Sequence, residues 1–409
     1  MTERKVVVTG IGPVTPVGTG REAFWDALAS GRSGIGEITL FDASEHPVRI
    51  GGEVEGFDAA DWMDRKAAKR TDRAVHLAVA AAKLAWEDAG RPQIDPERAA
   101  VVVSTGVGGL RYMEEQIKIM NDRGPGRVSA FTVPAMMANA ATGTVAMEFG
   151  FTGPNACITT ACAAGAHGVG EGYRYIKHGM ADLALAGGTE AGITPLSLAA
   201  FAQMQALSRN ADPERASRPF DADRDGFVIS EAACVLVLEE EERARTRGAT
   251  IYAEVAGYGT SADAFHITQP EPQGSGAVIA MQMALTDAGE PAEAVDYINA
   301  HGTSTPLNDA AETRAIKKAF GDYAYEVAVS STKSMTGHMV GATGAAEAAV
   351  AALAVRDGVI PPTVNYETPD PECDLDYVPN EKRETDVRLA LSNAFGFGGQ
   401  NAVLALRRI

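Results

Sequence analysis

The sequence predicts an α/β protein built from two related halves, residues 1–250 and 251–409. Short apolar runs of the kind found in buried strands alternate with longer helical segments along the chain. The pattern begins again at Ile251: a strand at residues 252–256 leads into Gly-Tyr-Gly, as a strand at residues 5–9 leads into Gly-Ile-Gly. The repeat lies in the order of the elements and not in the residues themselves, so it is a weak one.

The composition excludes several kinds of protein. Of the 409 residues, 45% are hydrophobic and 22% are charged, which is ordinary for a globular chain of one or two domains. A formal net charge of −18 argues against nucleic-acid binding. The four cysteines lack the spacing of a zinc site or a disulfide framework, so we expect no metal.

The chain also lacks a recognisable targeting or membrane segment. The N-terminal segment MTERKVVVTGIG is typical of a strand and not of a signal peptide. No apolar run approaches the roughly 20 residues that a membrane-spanning helix needs. We therefore expect a cytoplasmic protein that acts away from membranes.

The first half opens with Gly10-Ile11-Gly12-Pro13, which resembles the start of a dinucleotide-binding fingerprint. Thr15 stands where the third glycine belongs, so the motif is a weak sign of NAD and we expect no such cofactor. The further elements predicted in this half are helices at 21–30, 62–90, 134–149 and 240–247 and strands at 99–104, 183–186 and 235–239. Those predicted in the second half are helices at 276–288, 308–320 and 341–355 and strands before 300 and at 327–331, 388–392 and 402–407.

Two of these helices have unusual compositions. Segment 62–90 begins with the cations Arg65, Lys66, Lys69, Arg70 and Arg73. On a continuous helix, residues four apart share a face, so these charges form either a solvated face or a docking surface for an acidic partner. Segment 134–149 is too apolar to face water, so we expect it in the core or at a subunit interface.

The stretch NACITTACAAGAHGVGEG, residues 155–172, organises the rest of the chain. We predict a strand at 157–160, a sharp turn at Cys162, and a helix from Ala163 to His178. Each glycine inside a helix costs roughly 0.5–1 kcal/mol relative to alanine, so several of them indicate close packing against another backbone. The N–H groups and dipole at a helix N-terminus favour a thiolate, which would make Cys162 a nucleophile. A buried structural cysteine is the alternative.

Two turns that carry histidine follow predicted strands of the second half. They are NAHGTSTP, with His301, and STKSMTGH, with His338. A lone His beside Gly and Thr is more often structural, but two such turns and a Cys on a matching turn favour catalysis, because α/β active sites lie in loops after strands. The segment NAFGFGGQN, residues 393–401, is either an ordinary turn or a mobile gate whose N–H groups face an oxyanion.

The motifs TACAAG, NAHGTSTP, KSMTGH and NAFGFGGQN, in this order and spacing, resemble those of the β-ketoacyl-acyl carrier protein synthases of the type II class. The resemblance covers essentially the whole chain. It implies a thiolase-like fold of two duplicated halves in a layered αβαβα arrangement, and a homodimer. It also implies fatty acid elongation by decarboxylative condensation of malonyl-acyl carrier protein with a Cys-bound acyl chain. The phosphopantetheine arrives on the acyl carrier protein, so no separate cofactor is implied.

The resemblance further implies a role for each matching residue. Cys162 would accept the acyl chain, and His301 and His338 would complete a catalytic triad. Lys333 and Glu347 would form a supporting ion pair. The backbone N–H groups of Cys162 and Phe397 would form the oxyanion hole. The substrate-binding residues implied are Thr303, Thr305, Val107 and Phe395. The residues implied for docking the acidic carrier protein are Arg65, Lys66, Lys69, Arg70 and Arg127.

Related functions are separated by single residues. A thiolase would need a second catalytic Cys near the C-terminus, but no Cys follows Cys373. The type III synthases resemble a Cys-His-Asn arrangement, whereas His338 fills the third place here. A ketosynthase of an aromatic polyketide pathway remains an alternative. So does a non-catalytic partner subunit, which would be expected to lack Cys162. One departure, Ser230-Glu231-Ala232-Ala233 where the family is usually Gly-rich, puts the local packing in doubt.

Overall fold

The computed structural model describes residues 4–409, so residues 1–3 of the predicted N-terminal strand segment lie outside the described residues. Most strands form one mixed sheet. The strands are β1 (Val6–Thr15), β2 (Gly18–Thr19), β3 (Gly36–Glu37), β4 (Ile50–Gly51), β5 (Ala99–Ser104), β6 (Asn155–Ala156), β7 (Leu183–Glu190), β8 (Ala232–Glu240), β9 (Ala253–Ala262), β10 (Tyr297–Asn299), β11 (Ala328–Ser330), β12 (Val359–Ile360), β13 (Arg383–Glu384), β14 (Leu389–Gly396) and β15 (Gln400–Arg407). The α-helices are α1 (Arg21–Ala29), α2 (Arg65–Ala68), α3 (Arg73–Asp88), α4 (Leu110–Arg123), α5 (Thr132–Met136), α6 (Ala140–Phe149), α7 (Ala164–Lys177), α8 (Pro195–Gln203), α9 (Glu241–Thr246), α10 (Ser275–Ala288), α11 (Pro306–Phe320), α12 (Lys333–Thr336) and α13 (Thr343–Asp357).

The large sheet repeats one strand order on either side of its centre. Outward from the centre, the strands run β1, β8, β7, β5, β6 on one side and β9, β15, β14, β10, β11 on the other. On each side the two inner pairings are antiparallel and the two outer pairings are parallel. This matching topology confirms the predicted α/β fold of two duplicated halves, while the boundary at residue 250 stays a prediction.

The two Gly-x-Gly motifs lie inside β1 and β9 and not in turns after them. A Cβ at Gly12 would collide with the carbonyl oxygen of Ala81 in α3, and one at Gly259 with that of Ala280 in α10. The missing side chains therefore let one helix lie directly on each central strand. The glycines of the first motif thus serve the packing of α3 on a strand.

The helices form three layers around the strands. Helices α7 and α13 pack against each other and against strands of both halves, whereas α3 and α6 cover the first half and α10 and α11 cover the second. The small residues of α7 are explained by this contact, because a Cβ at Gly165 would lie 2.7 Å from the backbone nitrogen of Ala345 in α13. Counted as two half-sheets that meet where β1 pairs with β9, the strands and these helices follow the predicted αβαβα order.

The predicted helix at 62–90 is wrong as a single element. The side chain of Asp64 accepts backbone N–H bonds at the start of α2, and that of Asp72 does the same at the start of α3. Each aspartate is an N-cap, so two helices begin where one was expected. The cations of this segment therefore do not share one continuous helix face.

The predicted helix at 134–149 is also broken, into α5 and α6. One face of it lies in the core, where Ala141 and Val145 are buried against α3 and β5, whereas Met137 and Met147 are 42% and 75% exposed. The core location is therefore confirmed for this face, and the subunit interface stays a prediction for the exposed one.

Residues 157–160 are not a strand, contrary to the sequence prediction. Strand β6 ends at Ala156, because only Asn155 and Ala156 pair with β5. The chain then leaves the sheet, and the N–H of Ile158 donates to Ser104 Oγ at 3.2 Å.

Within residues 4–409, no helix is long and apolar enough to cross a membrane. The cytoplasmic location stays a prediction.

Candidate active site

One cavity of about 640 Å³ opens where the turns of the two halves meet. Its walls bring together the three residues predicted to form the triad, Cys162, His301 and His338. Its walls also include Val107, Thr303, Thr305, Phe395 and Phe397. Eight residues singled out in the sequence, from segments far apart in the chain, thus line a single space.

Cys162 lies in a short 3-10 turn, Ala161–Ala163, that runs directly into α7. Ala161 has a φ of +50°, so the backbone bends sharply just before the cysteine. Gly396 packs on this bend, where a Cβ would lie 2.6 Å from the carbonyl oxygen of Thr160. This close approach brings the Phe397 backbone near the Cys162 thiol, where its N–H acts to lower the pKa of the thiol.

The environment of Cys162 acts on its thiol in two opposite directions. Burial raises the pKa of its thiol to about 11, although the Lys333 charge and the Phe397 N–H act in the opposite direction. Burial therefore opposes the thiolate that the helix N-terminus favours, and the role of Cys162 as nucleophile stays a prediction. The sequence argument considered the helix N-terminus but not the cost of placing a charge where Cys162 is 9% exposed.

His338 is held in one tautomer. Its Nδ1 accepts the backbone N–H of Val340 at 3.2 Å and lies 3.1 Å from Thr343 Oγ1. A neutral ring that accepts at Nδ1 carries its proton on Nε2, so His338 is a hydrogen-bond donor through Nε2. Burial and the Lys333 charge hold its pKa well below the ordinary value, which keeps the ring neutral.

His301 faces His338 edge-on, with ring centroids 5.5 Å apart and ring planes at 85°. Burial lowers the pKa of His301 well below its ordinary value, and the Lys333 charge adds to the effect. Its Nδ1 is buried without a hydrogen-bond partner among the described residues. His301 is thus a second neutral imidazole, and no protein group fixes its tautomer through Nδ1.

Lys333 and Glu347 form the predicted ion pair beneath the two histidines. Lys333 Nζ donates to Glu347 Oε1 at 2.6 Å and also to the backbone carbonyl of His301. Both side chains are 1% exposed. Burial raises the pKa of Glu347 to about 7, against the lowering effect of Lys333.

Sequence reasoning missed a carboxylate that holds the His301 turn. Glu312, buried in α11, accepts the N–H groups of His301 and Gly302 at 2.8 and 2.7 Å. Asn393 Nδ2 also donates to it, at 3.1 Å. A charged residue among alanines on the buried side of a helix was the available signal.

A second missed carboxylate, Glu190 at the end of β7, joins the turns of the two halves. It accepts N–H bonds from Gly106 at 2.7 Å and from Gly341 at 3.2 Å. Burial raises its pKa to about 7. Val107 follows Gly106 directly and is 53% exposed, so one wall of the cavity is open in the single chain.

The five predicted docking residues lie on the surface, apart from the cavity. Arg65, Lys66 and Lys69 are exposed on and just after α2, and Arg127 is exposed in the short turn after α4. Arg70 is half-buried, with its guanidinium 4.3 Å from the centre of the Phe131 ring. Stacking on this aromatic ring brings the α2 cations toward the segment that holds Arg127.

The sequence matches one protein family along most of its length. Residues 3–244 match the Beta-ketoacyl synthase, N-terminal domain, and residues 252–367 match the Beta-ketoacyl synthase, C-terminal domain. The chain is 52% identical over 411 residues to the 3-oxoacyl-(acyl-carrier-protein) synthase 2 of Synechocystis sp., covering 100% of this chain and 99% of that protein. It is 49% identical over 412 residues to the synthase of the same name from Coxiella burnetii, covering 100% of both.

Solved structures give the same result for the fold. A ketosynthase bound to a hexaketide, in complex with its type II polyketide acyl-carrier protein, superposes with a TM-score of 0.92 at 35% identity over 100% of both chains. A beta-ketoacyl synthase from Burkholderia phymatum superposes with a TM-score of 0.91 at 36% identity, covering 99% of this chain and 100% of that one.

Proposed function

The chain belongs to the β-ketoacyl synthase family, and we propose that its cavity condenses malonyl-acyl carrier protein with an acyl chain held on Cys162. The identity of 52% to a 3-oxoacyl-(acyl-carrier-protein) synthase 2 makes it a condensing acyltransferase of fatty acid synthesis. The observation that carries the residue assignment is the meeting of Cys162, His301 and His338 in one cavity. The presence of all three argues against a non-catalytic partner subunit.

The first step is acyl transfer to Cys162. The sulfur of Cys162 attacks the thioester carbon, the bond from that carbon to the pantetheine sulfur breaks, and the thiol proton ends on the departing pantetheine sulfur. The N–H groups of Cys162 and Phe397 hold the negative oxygen of the tetrahedral intermediate. The raised pKa of the Cys162 thiol fits this order of steps, because the thiolate then forms only while a thioester is in place to react.

The second step is decarboxylation of the malonyl thioester. Loss of CO₂ leaves an enolate, whose oxygen needs hydrogen-bond donors in a site with little water. His338 offers its Nε2 proton, since Nδ1 is already an acceptor, and neutral His301 supplies the second donor. The enolate carbon then attacks the acyl-Cys162 carbonyl. The product stays on the carrier protein, and the released Cys162 thiolate takes up a proton.

The substrate arrives on an acidic carrier protein. The exposed cations Arg65, Lys66 and Lys69, together with Arg70 and Arg127, form the surface that we propose for docking it. The hydroxyls of Thr303 and Thr305 lie 2.9 Å apart in the cavity wall, where they can contact the amides of the phosphopantetheine arm. Phe395 packs 5.7 Å from the His301 ring, between this arm and the catalytic groups.

The exposed apolar face of α5 and α6 supports a homodimer. Val133, Met137 and Met147 are too exposed for a face of a monomer, and a large exposed apolar patch marks an interaction site. Val107, half-exposed in the cavity wall, requires a covering surface as well. A second copy of the chain on this face would bury both and close the acyl end of the cavity.

The experiment that tests the function measures products by mass spectrometry. The purified protein receives malonyl-carrier protein and acyl-carrier primers, and we expect each turnover to add two carbons once, giving a single 3-oxoacyl product. A polyketide ketosynthase is the second candidate, since such enzymes share the fold at 35% identity. It would instead return chains with several keto groups from one primer, and that result would reject the fatty acid assignment.

A further inference from the structure

Ser230 lies at a buried seam between the two halves, next to the turn that carries His338. Its backbone N–H donates to the carbonyl of His338 at 2.9 Å, and the N–H of His338 donates to the carbonyl of Val228 at 2.7 Å. Ile229 and His338 accordingly form an isolated parallel bridge. The segment before β8 thus forms hydrogen bonds with both the N–H and the carbonyl of His338.

The Ser230 hydroxyl adds a third bond to this turn. It donates to the carbonyl of Thr336 at 2.7 Å, and both residues are buried. A Cβ at Gly337, where φ is +64°, would collide with this hydroxyl, and one at Gly52 would do the same. The hydroxyl therefore occupies the space that two glycines leave free. The packing at this departure from the family pattern, which the sequence left in doubt, is tight.

The His338 ring itself is held by Val340, whose N–H donates to Nδ1. The direction of Nε2–H is then set by the backbone path from Thr336 to Val340. Without the hydroxyl, the carbonyl of Thr336 would be buried without its donor, and buried polar groups shift to find partners. A shift of this short turn would move Nε2–H away from the position of the enolate oxygen.

We propose that Ser230 is a positioning residue for His338, and that its hydroxyl serves the decarboxylation and condensation steps but not acyl transfer. The proposal rests on the proposed function. Ser230 does not line the cavity wall, so it acts through the turn and not on the substrate. Two groups act on the Cys162 thiol, Lys333 and the Phe397 N–H. The Lys333 ammonium is held by Glu347, and the Phe397 turn packs on the bend at Thr160, so neither depends on the Ser230 hydroxyl and acyl transfer remains.

The experiment compares Ser230→Ala with a matched control, Ser334→Ala. Ser334 is also buried and lies in α12, the short helix that ends at Thr336. Its hydroxyl donates to the backbone carbonyl of Ser331 at 2.8 Å. For Ser230→Ala we expect malonyl decarboxylation and condensation to slow by about tenfold, because small misplacements of a catalytic group are costly. The rate of Cys162 acylation should stay within about twofold of wild type. Ser334→Ala should leave the ratio of the two rates unchanged.

A second readout needs no turnover. In the resting protein with ¹⁵N-labelled histidine, Ser230→Ala should shift or broaden the His338 Nε2 signal and spare that of His301. If Ser230→Ala does not fold, Ser230→Gly, which also lacks the hydroxyl, takes its place. An equal loss in acylation and condensation, or an unchanged His338 signal, would overturn the proposal. Failure of the wild-type protein to condense would instead reject the proposed function, and the His338 signal would still decide on Ser230.

Discussion

Lys333 Nζ and Glu347 Oε1 lie 2.6 Å apart in the interior, each on a side chain that is 1% exposed. Removing one partner of a buried pair leaves an uncompensated charge, which costs roughly 3–5 kcal/mol. Here the pair does more than hold the fold, because the Lys333 charge helps to lower the pKa of both His301 and His338. It lets both rings stay neutral at acidic pH.

Replacing this pair should therefore change the pH dependence of condensation. The double variant Lys333→Met with Glu347→Gln removes both charges and avoids an unpaired one. Without the nearby ammonium, the pKa of each histidine rises toward its ordinary value, so the rings become protonated at a higher pH. The acid limb of the kcat profile should move to higher pH. Lys83→Met, which removes a partly exposed cation, should leave it in place. An unmoved acid limb in the double variant would show that burial alone sets the two pKa values.

Charge reversal tests the docking surface. Lys66→Glu with Lys69→Glu should raise KM for carrier-bound substrates at low salt, and salt should weaken the wild type, because the screening length is about 10 Å at 0.1 M. The matched control is Lys382→Glu with Arg388→Glu, which makes the same change of net charge on another exposed part of the chain. Equal KM values for the two variants would mean that α2 carries only a solvated face.

Val107 offers a test of chain-length selection. Each buried CH₂ gains roughly 0.8 kcal/mol, so the acyl chain needs an apolar wall, and Val107 lines the cavity with modest size. Val107→Phe should lower kcat/KM for long acyl primers and spare short ones, because overpacking costs roughly 1–3 kcal/mol. Malonyl decarboxylation should survive. Ile279→Phe, a similar enlargement at an exposed position of α10, is the control. A loss of equal size at every chain length would show that Val107 is structural.

The proposed subunit interface can be tested by sedimentation. Val133→Glu in α5 with Met137→Glu just after it places two charges among the exposed apolar residues of this segment and should convert the dimer to monomers. The control is Ile279→Glu with Met283→Glu, at two exposed apolar positions of α10. The α5 variant should also lose activity on long primers first, since the open wall at Val107 would stay uncovered. A dimer that persists in the α5 variant would place the interface elsewhere.

The sequence was most informative about residues whose type and surrounding turn indicate a single chemical role, and about the order of strands and helices. Cys162, His301 and His338 were found from their turns, and the alternation of strands and helices predicted the repeated sheet. The geometry around them was less accessible. Asp64 and Asp72 each cap a helix, which divides the predicted segment 62–90 in two, and the sequence prediction did not foresee these caps.

Tertiary contacts account for the remaining differences. The direction of the Cys162 pKa depends on how much protein covers the sulfur, which a local motif does not reveal. Glu190 and Glu312 bind backbone N–H groups of distant turns, so their roles become visible only when those turns are brought together. The two Gly-x-Gly motifs were placed after their strands and not within them, because the helices that require these glycines lie about 20 to 70 residues further along the chain.

The central claim is that Cys162 carries the acyl chain while His301 and His338 perform the decarboxylative condensation. The most direct measurement is intact-protein mass spectrometry after incubation with acyl-carrier protein, followed by addition of malonyl-carrier protein. His301→Ala and His338→Ala should each gain the mass of one acyl group and retain it after malonyl addition, whereas wild type should lose it to product. Cys162→Ala should gain no mass. Release of the acyl group as elongated product by either His variant would contradict the account.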